Sequence, residues 1–355
     1  MAIYSGDIFA ENYTVSSSVT NVQISSVSGS TNSGDSPDDI HQFTGSLQIS
    51  GSSIALGDGN NNVVLGKNVN LNVGGSTYST YIGYQAAGGN EGTGIGGQDI
   101  TVVGARAGQN MQQNPHRTTL IGSSTGRRIN VGLDNTMVGS YAGAYLTGAD
   151  YNVFMGTYAG YTTVDVDKAV IIGYQAGYAN MTSAADGTIA IGYQAGYAIT
   201  SAESSTLIGH RAGDNITTGN NNTALGYDSL GAAGAASITG ANNIAIGRRA
   251  GYVMQGAVAN DTLIGQSAGV GITTGAANTI MGAQAGQSMT TTSNTTLIGY
   301  LAGGAINHTD ADGTVAIGPS AGGAITTGKY NVAIGQYAFA SATELDKNTA
   351  VGYGT

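Results

Sequence analysis

The sequence contains no cysteine and no tryptophan, only 3 prolines and 4 phenylalanines, and few charges: 11 Lys and Arg against 21 Asp and Glu in 355 residues. Without cysteine there is no disulfide and no thiolate zinc site, so packing and backbone hydrogen bonds must supply the stability. Charge at 9%, against about 25% in an ordinary soluble domain, excludes a charge-rich coiled coil and a polyelectrolyte tail. The balance of −10, with no run of Lys or Arg longer than two, argues against a nucleic-acid partner. The opening residues have neither a basic nor an apolar signal region, so no secretory leader is expected. No apolar run approaches the length of a membrane span, and no membrane insertion is expected.

Glycine, in contrast, is plentiful. Its 59 copies fall well short of the one-third of roughly every collagen, and no Gly-x-y period is present. They mark a longer repeat: from about residue 63 onward the pattern β-branched, apolar, aliphatic, Gly, two variable residues, Ala, Gly recurs. Its first glycine falls at 66, 83, 104, 122, 139, 156, 173, 192, 209, 226, 247, 265, 282, 299, 318, 335 and 352. Most gaps are 17 residues, with some of 18, 19 or 21. The gap series starting at Gly104 returns, one unit shorter, at Gly247, which reads as an internal duplication.

Three places before each glycine stands Thr, Val or Ile, and one place before it an aliphatic residue, in all 17 units. β-branched residues suit a pleated strand and are stiff in a helix. The residue between them points to the opposite face of the strand and is apolar as well: Val64, Leu120, Met137, Phe154, Ile171, Leu207, Leu263, Ile280, Leu297, with Ala in several units and Tyr81 in one. A strand apolar on both faces is one covered on both faces. Asn precedes the strand in 8 units and Thr-Thr-Gly recurs at 217–219, 273–275 and 326–328, residues expected to take left-handed turn conformations. The Ala-Gly pair is expected to allow close backbone approach. Length variants fall between that pair and the next strand.

A 17-residue unit cannot bury its own apolar face, whereas stacked units can. The expected fold is therefore all-β: a parallel β-solenoid, or β-roll, of about 17 coils covering residues 54–355. Sixteen steps of about 4.8 Å give a rod of about 77 Å. One apolar face fills the coil and the other forms a stripe of roughly 800 Å², larger than the few hundred Å² that monomers commonly expose. The stripe predicts self-association. Leu120, Met137, Phe154, Ile171, Leu207, Leu263, Ile280 and Leu297 are assigned to the core or to the interface between chains. Residues 1–53, rich in Ser and Thr, are expected to be a partly β or extended attachment segment, with a partial first coil near 54–57.

Ile191-Gly192-Tyr193-Gln194-Ala195-Gly196-Tyr197, Asn221-Asn222-Thr223-Ala224-Leu225-Gly226-Tyr227 and Asn243-Ile244-Ala245-Ile246-Gly247 resemble two things. One is the head repeat of trimeric autotransporter adhesins, and the other is the repeat array of phage tail fibres. The resemblance implies a left-handed coil, a homotrimer, a place on a virion appendage or outside the cell, other fibre proteins bound at the N-terminal segment, and a host-surface glycan or protein as partner. Unlike those adhesins the chain shows no heptad stalk and no membrane-anchor barrel. It stops at Thr355, partway through a unit, so the likeness to tail fibres implies a removed C-terminal chaperone domain or a separate cap.

Candidate chemistry is sparse, and no catalytic residue, cofactor or metal is expected. Gly92–Gly97 imitates a phosphate loop but does not open a helix. Asp310-Ala311-Asp312-Gly313 starts like a calcium loop, yet Ala321 stands where the bidentate Glu belongs. Gly96-Gly97-Gln98-Asp99 is a near miss to a calcium-binding repeat. Asp165 and Asp167 read as a solvated turn beside Lys168. His41, His116, His210 and His308 never recur in register and read as exposed polar residues. Tyr84, Tyr141, Tyr158, Tyr174, Tyr193, Tyr227 and Tyr300 follow the unit glycine by one or two places. Such a ladder either stiffens the rod by ring stacking or offers sugars an apolar ring with a polar tip.

Three functions compete. A non-enzymatic structural and adhesive fibre component, giving reach and multivalent attachment, fits the stripe and the repeat. An ice-binding solenoid fits the Thr found three places before Gly in 10 of 17 units, but needs a second Thr one place before Gly, where none occurs. A glycan-processing β-helix needs clustered acids or bases, which so few charges make hard to assemble.

Overall fold

A computed structural model describes residues 62–69, 76–88, 96–111, 115–231, 237–341 and 343–355. The 1–53 attachment segment and the partial coil at 54–57 lie outside the described residues. Among these, 17 three-residue strands run from β1 (Val63–Leu65) to β17 (Thr349–Val351) and form one parallel sheet, each strand paired with its sequence neighbours. The described residues form an all-β parallel solenoid with one strand per coil. Two one-turn 3-10 helices, Ser183–Ala185 and Thr309–Ala311, are the sole helical elements described. Both lie between an Ala-Gly pair and the next strand in 19-residue coils, where length variation was expected. No helix among the described residues is long and apolar enough to cross a membrane.

Pairing keeps every unit in phase: Thr119, Leu120 and Ile121 of β4 (Thr119–Ile121) face Thr136, Met137 and Val138 of β5 (Thr136–Val138). Equivalent residues therefore stack in columns along the rod. The middle column faces inward. Leu120, Met137, Phe154, Ile171, Leu207, Leu263, Ile280 and Leu297 are all fully buried within a single chain, together with Tyr81 and the alanines at 190, 224, 245, 316 and 333. They pack with the Ala of each Ala-Gly pair and with a second set from the far wall of the coil, such as Ile129, Leu146, Ile199 and Ile216. The stripe left outside is thus built from the first and third strand positions and not from the middle one.

The unit glycine is required by contact as well as torsion. Gly173 has φ 134°, and a Cβ there would lie 2.3 Å from the carbonyl oxygen of Gly192 in the next coil. The Thr-Thr-Gly glycines differ from expectation. Gly275 is not left-handed; it is needed because a Cβ would fall 2.1 Å from the carbonyl oxygen of Thr292. Nor is the pre-strand Asn left-handed. The residue before it is, as at Asp134, Tyr151 and Asn221 (φ 59°, 61° and 56°). The Asn side chain turns inward and crosses between coils: Asn135 Nδ2 donates to the Ala149 carbonyl at 2.7 Å, and its Oδ1 accepts from the Asn152 backbone N–H at 3.0 Å. Asn152 repeats both bonds, to the Val166 carbonyl and from the Ala169 N–H. A buried amide with donor and acceptor both engaged satisfies backbone groups that the corner would otherwise orphan.

Candidate functional site

Two outer surfaces remain. The first is the stripe. Every third strand position is aliphatic and faces outward, and Leu65, Ile121, Met155, Leu225, Met281, Ile298 and Ile334 are 36–44% exposed. The first position alongside is Thr, Val or Ile, mostly half-buried. The Thr residues expected for ice binding do face outward, but each is paired with an aliphatic residue across the strand and not with a second Thr. No polar residue interrupts the third column from β1 to β17.

The second surface is aromatic and follows the stripe around the turn. Tyr141 stacks on Tyr158 (ring centroids 5.4 Å, interplanar 15°), and Tyr158 meets Tyr174 edge-on at 6.4 Å. Tyr174 stacks on Tyr193 (5.6 Å), Tyr193 on His210 (4.9 Å) and His210 on Tyr227 (5.0 Å). These six rings occupy six consecutive coils, β5 to β10 (Thr223–Leu225). A second column runs beside the first: Tyr145 meets Tyr161 edge-on (5.2 Å), Tyr161 stacks on Tyr178 (5.3 Å) and Tyr178 on Tyr197 (5.1 Å, 6°). Edge-to-face contacts such as Tyr158–Tyr161 at 5.1 Å join the columns. The Arg128 guanidinium lies 4.5 Å over the Tyr145 ring at one end. The Tyr161 hydroxyl is pushed above its ordinary pKa chiefly by its hydrogen bond to Tyr145, and that of Tyr178 chiefly by burial.

Of the seven tyrosines singled out in the sequence, Tyr141, Tyr158, Tyr174, Tyr193 and Tyr227 belong to this field. Tyr84 and Tyr300 are exposed elsewhere on the rod. Sequence reasoning missed Tyr145, Tyr161, Tyr178 and Tyr197, although Ala-Gly-Tyr recurs at 159–161, 176–178 and 195–197. His210 is exposed, as the sequence suggested, and its ring also stacks between Tyr193 and Tyr227.

The remaining candidates have local roles. Asp167 Oδ1 accepts from the Asp150 N–H at 2.7 Å, as Asp150 Oδ1 does from Leu133. Asp312 Oδ1 accepts from Ser293 N–H at 2.8 Å, and Asp310 is paired with Lys329 at 3.1 Å, which holds its carboxyl below the ordinary range. His116 Nδ1 accepts from Gln98 N–H, and His308 Nδ1 from Asp310 N–H, both at 3.2 Å. Asp99 sits in a left-handed turn (φ 57°). Most of Gly92–Gly97, and His41, lie outside the described residues. No group of three metal-ligating side chains gathers among the described residues.

One interior residue stands out. Asp261 occupies the position of the pre-strand Asn, fully buried between Asn243 and Asn278. Its Oδ1 accepts from the Asn278 N–H at 2.7 Å, and its Oδ2 is buried with no hydrogen-bond partner. Burial pushes its pKa up to about 7. Compared with known protein families and with curated proteins, the chain matches none.

Proposed function

We propose that this chain is a non-enzymatic structural and adhesive rod of a homotrimeric fibre, of the phage tail-fibre type, carried on a virion or displayed outside a cell. The observation that carries the reading is the unbroken aliphatic column along one side of the coil. The interior is already filled by the middle strand residues and the far wall, so this second apolar column lies outside the core. At about 77 Å by about 10 Å it presents roughly 800 Å² per chain, the size of one partner's share in a standard interface. Monomers seldom leave a contiguous patch of that size in water. Three identical stripes meeting on one axis would bury all of them by a closed symmetry. The resemblance of the repeats to fibre and adhesin arrays supports the setting: reach from the rod, attachment to other fibre proteins at the N-terminal segment, and contact with a host surface through repeated weak sites.

Sedimentation equilibrium of the full chain at micromolar concentration tests the reading, with three times the chain mass as the expected result. A monodisperse monomer refutes it.

A further inference from the structure

The aromatic field is not needed to build the rod. Coils on the C-terminal side place Arg248, Gln266, Ala283 and Pro319 where the field has Tyr174, Tyr193, His210 and Tyr227, and they keep the same strand register. Ring stacking is therefore an addition to the coil and not a condition of it. The rings that remain half-open to water are substantial: Tyr174, Tyr193 and Tyr227 are 43–46% exposed.

We infer that this field is a binding surface for a linear, uncharged polysaccharide lying parallel to the rod. The inference rests on the fibre reading above and gives its attachment site. Three features carry it. First, the rings repeat at 4.9–5.6 Å within their stacked runs, the step of the coil itself, and an extended chain of equatorially linked pyranoses advances by nearly one such step per sugar. Along the four-ring run from Tyr174 to Tyr227 a glycan parallel to the axis thus meets one ring per sugar. Second, tyrosine combines an apolar ring with a hydroxyl, and a pyranose combines C–H groups with hydroxyls. Third, the Gln175 and Gln194 amides, joined by a 2.9 Å hydrogen bond, sit on the same turns as Tyr174 and Tyr193 and add donors and acceptors. The charged groups beside the columns stand toward their ends: the Arg128 guanidinium over Tyr145, and Arg211, which Asp214 neutralises at 2.7 Å.

Because the protein has no tryptophan, its emission comes from its 20 tyrosines, nine of them in the field, and is sensitive to contacts made there. The probes are β-1,4-linked hexamers and dimers of glucose and of N-acetylglucosamine, titrated into the full chain. Saturable change with a hexamer, at least about tenfold tighter than with its dimer, is expected from contacts repeated along the chain. Tyr174→Gln with Tyr193→Gln, residues that other coils carry at this position, should raise the hexamer Kd about tenfold or more. Tyr300→Gln, on an isolated ring, should leave it unchanged. No saturable response to either hexamer, or equal affinity in the double variant, overturns the inference. Sedimentation of the same samples separates the two claims: a trimer that ignores both hexamers removes the glycan surface and keeps the fibre, whereas a monomer removes the fibre.

Discussion

Asp261→Asn makes the rod more stable, by an amount that grows as pH rises from about 4 to about 7. In the unfolded chain the Asp261 carboxyl has its ordinary pKa of 3.8, and in the folded coil about 7. Below pH 3.8 both states hold the proton and the site costs nothing. Between 3.8 and 7 the folded state retains a proton that the unfolded state has lost, so stability falls as pH rises. Above 7 the loss is complete. Three pKa units at 1.36 kcal/mol each make it about 4 kcal/mol. Asparagine has no such titration, and its Nδ2 restores the donor that Asn243 directs to the Val258 carbonyl at 2.9 Å and Asn278 to the Thr292 carbonyl at 3.1 Å. Thermal unfolding followed by circular dichroism from pH 4 to 8.5 measures the difference. The two proteins should differ least at pH 4, diverge as pH rises to 7 with the variant higher, and keep a constant gap beyond. A gap independent of pH, or a variant that melts lower at pH 8, would refute a buried, under-bonded carboxylate at this position.

Three further substitutions probe the other columns. Ile264→Glu places a charge in the outward stripe without touching the interior; sedimentation should show monomer while the β-sheet dichroism persists, and an unchanged trimer mass would count against the stripe as the interface. Gly173→Ala drives a Cβ to 2.3 Å from the Gly192 carbonyl at φ 134° and should cost at least about 3 kcal/mol in urea unfolding. Gly352→Ala has the same torsion (φ 135°) but meets only the Thr355 side chain at 3.1 Å; it should cost measurably less, and equal losses would locate the penalty in torsion alone. Leu297→Ala empties a fully buried position and should cost about 2–5 kcal/mol in the same unfolding assay.

The coil was legible because its signal is repeated 17 times: a β-branched residue, an apolar residue and an aliphatic residue before each glycine leave little but a short strand. Which side faced inward was not legible from that triplet, since Leu120 and Ile121 are equally apolar and only the winding of the backbone distinguishes them. The interior Asn ladder was misread as turn chemistry. Asn serves both purposes, and nothing local to Asn135 tells that its neighbour Asp134 takes the left-handed torsion. The aromatic field was half-visible. Counting from the unit glycine finds Tyr174 and Tyr193 one place on, but Tyr141 and Tyr158 two places on. Tyr145, Tyr161, Tyr178 and Tyr197 lie beyond the next glycine, so contact between the columns appears only once the coils are stacked. His210 was set apart by residue type, although an imidazole stacks as well as a phenol.

The hydrogen bonds between coils, such as Gly156 N–H to the Val138 carbonyl at 2.8 Å, run parallel to the rod and join each coil only to its two neighbours. A pull on the ends of one chain therefore loads these bonds in series, and the coils peel away one by one. Each release of 17 residues pays out about 60 Å of slack. A lone chain is a spool under tension. Only lateral bonding, of the kind the outward aliphatic column offers, makes neighbouring spools share the force and turns them into a cable.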